Sequence, residues 1–402
     1  MKRLHKWAFI LVALLISFPS MAKKKDDKHK KDAYQFTMIK DIPTTGVRNQ
    51  YRSGTCWSFS ANSFLETELL RKGKGEIDLS EMFDVRNAYS EKAVRTVRWH
   101  GNLNFGGGGA FHDVTWVFEN FGAIPEEAYT GLQYGEKKHV HGEMDALLDA
   151  YVEAVIKNKN KKISTAWHQG FDGILDAYLG PVPEKFTYNG VEYTPKSFAE
   201  YLDLDMSDYI EVGSYTHHPF YSKFILEVPD NWMLDEINNV PMEDMMAIID
   251  NAIMNGYSVG WGADVSEKGF SWKNGVAIVP NEEKPEIAGM ESGKWEKLDS
   301  KEKKKMLYSF DEPVAEKTIT QEMRQEQFDN YKTTDDHGML IVGIAKDQRG
   351  ETFYKIKNSW SEHGSPYAGY FYASKQFVAL KTIDMIIHKD AIPQDIKKKM
   401  GI

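Results

Sequence analysis

The chain has 402 residues, 59 acidic side chains against 50 basic ones, a net charge of -9 and 42% hydrophobic content. That length supplies two or three domains' worth of core, and the acidic balance excludes a typical nucleic-acid partner. The basic clusters Lys23 to Lys31, Lys303 to Lys305 and Lys397 to Lys399 are short and scattered, and read as solvated surface.

Lys2, Arg3 and Lys6 precede an apolar run from Trp7 to Phe18, and Ser20 and Ala22 put small residues where a signal peptidase cuts. The run is shorter than the roughly 20 residues a membrane span needs. Residues 1–22 are therefore predicted to be a secretory signal peptide. The mature chain is expected to be exported, periplasmic or secreted, with no stable membrane insertion once the signal is gone. Its removal takes away three positive charges and no negative one, deepening the net charge of -9 to about -12. Residues 23–33 read as a charged linker.

Residues 34–131 carry mostly helical signals. Ala61, Phe64, Leu65 and Leu69 form an apolar stripe closed by Gly73 and Gly75, and Val114, Val117, Phe118 and Phe121 repeat it before Gly122 and Pro125. Cys56, the only cysteine, opens the first of these stretches in the run Gln50-Tyr51-Arg52-Ser53-Gly54-Thr55-Cys56-Trp57-Ser58-Phe59. Residues 132–230 are richer in charge and read as helical from Met144 to Ile163 and then irregular. Residues 231–402 turn to strands: Tyr257 to Trp261, Met339 to Ile344, Phe353 to Ile356 and Tyr370 to Tyr372 are short apolar or alternating runs.

Two features of that last part carry chemistry. Asp335-Asp336-His337-Gly338 puts a histidine at the mouth of a strand, and Asn358-Ser359-Trp360 follows the next strand. A thiol nucleophile needs a base that takes its proton and later protonates the leaving amine, and a third group that fixes the imidazole tautomer. His337 and Asn358 suit those roles opposite Cys56. A cysteine at a helix N-terminus beside an imidazolium titrates as low as roughly 3–4, so a thiolate is expected at neutral pH. Gln50 offers its side-chain amide to an oxyanion beside the Cys56 N–H, a contact worth about 3 kcal/mol in analogous sites. Asp335 and Asp336 read as solvated strand-end carboxylates.

Ser-Gly-Thr-Cys-Trp-Ser-Phe with Gln50 upstream, and His337 and Asn358-Ser359-Trp360 far downstream, resembles the papain superfamily of cysteine peptidases. His337 lies 281 residues after Cys56, where papain-like enzymes show roughly 130–150. The long insertion, with Gly108-Gly109-Ala110-Phe111, Tyr257 to Val265 and His388-Lys389-Asp390-Ala391-Ile392-Pro393, is similar to the bleomycin hydrolase and aminopeptidase C branch. The resemblance implies an α+β fold of two papain-like lobes with a large, mostly helical insertion. The helical lobe, residues 34–131, would carry Cys56, and the sheet lobe, residues 231–402, would carry His337, Asn358 and a short tail. It further implies substrate pairing at Gly108 and Gly109, a structural Trp360 shielding the Asn358 amide, peptide substrates and a homo-oligomer, a hexamer in the relatives. Relatives place a C-terminal arm in the cleft that restricts them to free N-termini. Here three lysines near Ile402 match an ammonium poorly, so relaxed selectivity is expected.

Cofactors and metals are not expected. His217-His218 has no further ligand at metal-site spacing, and neither H-E-x-x-H nor C-x-x-C occurs. A redox-sensing thiol lacks a resolving cysteine. A broader endopeptidase remains the alternative, and a non-catalytic peptide-binding scaffold the second.

Overall fold

The computed structural model describes residues 33–283 and 298–402. The predicted signal peptide and all but the last residue of the 23–33 linker lie outside the described residues. The chain runs through β1 (Phe36–Asp41), α1 (Cys56–Arg71), α2 (Glu81–Arg98) and α3 (Phe111–Phe121). It continues through α4 (Gly142–Ile156), α5 (Trp167–Leu179), a hairpin of β2 (Phe186–Tyr188) and β3 (Val191–Tyr193), and α6 (Pro195–Leu202). Then come β4 (Tyr209–Gly213), β5 (Lys223–Ile225), β6 (Glu236–Asn239), α7 (Met242–Met254) and β7 (Val259–Ala263). The remainder is β8 (Phe270–Ser271), β9 (Val276–Ala277), α8 (Ser300–Leu307), α9 (Gln321–Asp329) and β10 (His337–Asp347), then β11 (Thr352–Lys357). It closes with β12 (Tyr370–Ser374), α10 (Lys375–Lys381), β13 (Thr382–His388) and α11 (Gln394–Met400).

The apolar stripe of α1 is buried as its spacing predicts, and so are Trp57, Phe59, Glu66 and Glu68. A helix buried around most of its girth is a central one, and α1 lies against β10 and β7. Its acids are met: Glu66 accepts from Thr45 Oγ1 and from the Leu79 N–H at 2.9 Å. Gly122 ends α3 at φ +97°, where an added Cβ would sit 2.3 Å from the Pro195 carbonyl oxygen, so glycine is required. The α4 helix stops at Ile156, short of the expected Ile163. Asn158 is the reason: its Nδ2 donates to the Val155 carbonyl and its Oδ1 accepts from Asn160 N–H, competing with the helical ladder.

Among the described residues the main sheet has eleven strands in the order β5-β6-β4-β13-β7-β10-β11-β12-β9-β8, with β1 also on β10. Along one side of β10, β7 pairs with His337 to Ile341 and β1 with Gly343 to Asp347. With neighbours on both sides and core on both faces, Met339 to Ala345 are buried throughout, which accounts for their unbroken apolar run. The α+β class is as expected, but two boundaries differ. β4 and β5 belong to the sheet although they fall within 132–230, and β1 joins it from the helical part. β4 and β5 are short, β1 alternates in burial along its six residues, and what places all three in the sheet is pairing with β13, β6 and β10.

Candidate active site

Cys56 is the first residue of α1, where backbone N–H groups lack helical partners. His337 is the first residue of β10, in register with Ala263. The turn ahead of it is stitched to the end of β7. Asp336 Oδ2 accepts from Val265 N–H at 3.0 Å and Ser266 Oγ at 2.8 Å, and Asp264 Oδ2 accepts from Thr334 N–H at 3.0 Å. Gly338 then brings β10 onto α1: a Cβ there would lie 2.6 Å from Ser60 Oγ and 3.3 Å from the Cys56 carbonyl oxygen. Cys56 and His337 consequently line one cleft.

Asn358 follows β11 directly. Its Oδ1 accepts from His337 Nε2 at 2.7 Å and from Ser359 N–H at 2.7 Å. The backbone donor fixes which end of the amide is oxygen, so Nε2 of His337 carries the proton and Nδ1 the lone pair. Trp360 stacks on the His337 ring, centroids 4.6 Å apart, and is braced by Trp272 and Phe270. It thus covers the imidazole itself, where the sequence pointed to the Asn358 amide. Gln50 is buried in the loop before α1, its Oε1 accepting from Ser359 Oγ at 2.6 Å and its Nε2 donating to the Ser53 carbonyl at 2.9 Å. One amide hydrogen is left over. The same loop is tied to the far side of the site by Gln50 N–H to the Ser359 carbonyl.

The cleft is acidic. Asp230, Asp335, Asp336, Asp384 and Glu211 line it together with His112. Asp335 is half-buried rather than solvated, and burial, then Asp230 and Asp336, pushes it up to about 7. Burial also pushes the Cys56 thiol up to about 12, helped by the Asp335 and Asp230 charges and opposed by the Gly338 and Trp57 N–H groups. His337 is lowered by burial, which outweighs its bond to Asn358 and the charge on Asp336. Both shifts run against the thiolate expected from the helix N-terminus and favour the neutral thiol and the neutral imidazole. A helix terminus contributes at most about 2 kcal/mol, roughly 1.5 pH units, and desolvation with the neighbouring acids outweighs it at Cys56. Alkylation of Cys56 by iodoacetamide at pH 7 should accordingly be slower than that of a free cysteine and still be climbing above about pH 9. A rate already level by pH 6 would contradict this.

Gly109 lines the cleft; Gly108 does not, and its carbonyl accepts from the buried Lys92 Nζ at 2.7 Å. Lys92, whose charge burial disfavours, also holds the Gly106 carbonyl at 2.9 Å, so the glycine run is anchored from below by a residue no motif marked. His217 and His218 do gain a third ligand-type group, Glu227, with Nε2 atoms 3.1 and 2.8 Å from its oxygens. The sequence missed it because the strand-and-turn path brings Glu227 back. Gln325 Oε1 is held by Thr216 N–H, so its Nε2 donates to His217 Nδ1 at 2.9 Å. That leaves the proton on His217 Nε2, the tautomer that bonds Glu227 rather than a metal.

Residues 16–307 and 289–401 match the Peptidase C1-like family. The chain is 22% identical over 405 residues to Aminopeptidase C of Lactobacillus delbrueckii subsp. lactis, covering 90% of this chain and 83% of that protein. It is 21% identical over 397 residues to Aminopeptidase C of Listeria monocytogenes, covering 89% of this chain and 83% of that one. Among solved structures it is similar to PepW of Lactobacillus rhamnosis HN001, with a TM-score of 0.66 and 19% identity over 91% of this chain and 84% of the other. With a match across most of its length, the chain belongs to the Peptidase C1-like family, the papain-type cysteine peptidases of the aminopeptidase C and bleomycin hydrolase branch.

Proposed function

We propose that the chain is an exported cysteine aminopeptidase that hydrolyses peptides through Cys56, His337 and Asn358. The observation that carries the reading is the His337 Nε2 to Asn358 Oδ1 bond, with the oxygen fixed by Ser359 N–H. It leaves the Nδ1 lone pair to take the Cys56 proton as the sulfur attacks the peptide carbonyl. The thiolate forms only as that proton leaves, in keeping with the raised thiol and lowered imidazole. The oxyanion is met by the Cys56 N–H and the spare amide hydrogen of Gln50. The imidazolium then returns its proton to the leaving amine, and water hydrolyses the thioester with Nδ1 again as base. Trp360, stacked on the ring, holds the imidazole in place.

Export is supported by the basic, then apolar, then small-residue order of residues 1–22. A homo-oligomer is the assembly that the resemblance of the inserted segment supports. The test uses purified mature protein and two fluorogenic peptides, one with a free N-terminus and one blocked. The free peptide should be cut at least about tenfold faster, the worth of one charge-assisted contact. Equal rates would overturn the aminopeptidase assignment, and cleavage of neither would overturn the peptidase.

A further inference from the structure

The acidic groups of the cleft fall into two sets. Glu211 is matched: both its oxygens lie 3.1–3.2 Å from His112 Nδ1. Burial works against charge on His112, but Glu211 overrides it and raises the imidazole to about 10, so these two form an ion pair. Asp336 is also matched, by Val265 N–H and Ser266 Oγ. Asp230, Asp335 and Asp384 are not. Asp230 has only the Asn104 amide at 3.1 Å and the more distant charge of Lys92. Asp384 is 7% exposed, and among the described residues no donor from another residue meets its carboxylate; burial and the Glu211 and Asp335 charges work against its ionised form, opposed by the His112 charge and its own N–H. A buried carboxylate that no other residue's donor meets is costly, and this one opens onto the cleft.

The backbone is shaped around these acids. Asp384, Gly262 and Gly338 stand in register across β13, β7 and β10, so two successive positions beside Asp384 carry no side chain. A Cβ on Gly262 would lie 2.1 Å from Asp384 Oδ1, and one on Gly108 would lie 2.0 Å from Asp230 Oδ2. Each acid thus lies over a glycine. The trough that results runs from Asp384 to Gly338, which touches the Cys56 backbone. Residues 394–402 take no part in it. Lys399 Nζ lies 3.2 Å from Asp244 Oδ2 on α7 and over the Tyr221 ring, and none of these residues lines the cleft.

We propose that Asp230, Asp335 and Asp384 form a cation subsite that receives an ammonium or guanidinium group of the peptide next to the bond attacked by Cys56. This rests on the peptidase reading and names its substrate class: peptides that present a positive charge just upstream of the cut, from a free N-terminus or from a Lys or Arg side chain. Binding of that cation supplies the donors the three acids lack. It also offsets the negative field on Cys56 at the moment its thiolate forms, so the cation is recognised and assists the chemistry together.

The test is a kinetic panel on the mature protein with three fluorogenic substrates: blocked Ala-Ala, free-amine Ala-Ala and blocked Arg-Ala. At least one cationic substrate should exceed the neutral one by about 10–100-fold in kcat/KM, the worth of one or two hydrogen bonds to charged groups. Which one does so identifies the source of the charge. Asp384→Asn should bring the advantage to within about threefold, and Asp335→Asn, at a half-buried loop position, should shrink it should Asp384→Asn fail to fold. If all three are cut alike by the wild type, the subsite is overturned and the peptidase reading stands. If none is cut, the peptidase reading falls. The subsite is then decided by calorimetry on Cys56→Ala, where binding of the blocked Arg-Ala or free-amine amide over the blocked neutral one supports it and equal binding overturns it.

Discussion

His337→Ala should lower kcat/KM on peptide substrates by about 10⁴-fold or more, the upper range for losing a general base that is also the general acid. The imidazole makes one hydrogen bond, to Asn358 Oδ1. Removing it leaves that oxygen still bonded to Ser359 N–H, and leaves Trp360 packed on Trp272 and Phe270. The variant should therefore fold, with a cooperative melt. Because nucleophile and base act as a unit, adding Cys56→Ala should cost little more. Asn358→Ala should lose less than His337→Ala, since it removes the tautomer lock and leaves the base in place. Activity of His337→Ala within tenfold of wild type in a folded protein would remove His337 from the mechanism.

The parts of the site that were legible in the sequence are those whose chemistry is local. Cys56 opens an apolar helical stripe, His337 opens a strand, and Asn358-Ser359-Trp360 closes the next, so strand and helix signals place them at element ends. The electrostatics was not legible. Asp384 and Glu211 lie on strands far apart in the chain that meet through the register of β13 with β4, and Asp230 comes from a loop between β5 and β6. No window of sequence contains that register. Hence the cleft reads as acidic only in three dimensions, and burial with the neighbouring acids works against the thiolate expected from the helix N-terminus. Gly108 is a similar case. The resemblance implies that it pairs with substrate, and the structure adds that its missing side chain admits Asp230 and its carbonyl accepts from Lys92. β4 and β5 look irregular as sequence because they are short, and pairing alone makes them strands.

Among these expectations the one on which the rest depends is that Cys56 is the nucleophile. Because it is the chain's only cysteine, a single substitution removes every thiol. Cys56→Ala takes one sulfur from a half-buried position at a helix start and leaves the core of α1 unchanged, so the variant should fold with a melt close to wild type. The decisive measurement is its kcat/KM on a free-amine fluorogenic peptide that the wild type cleaves. The account predicts a fall of about 10⁴-fold or more, toward the uncatalysed background. Cleavage by the folded variant at a rate near wild type would contradict it.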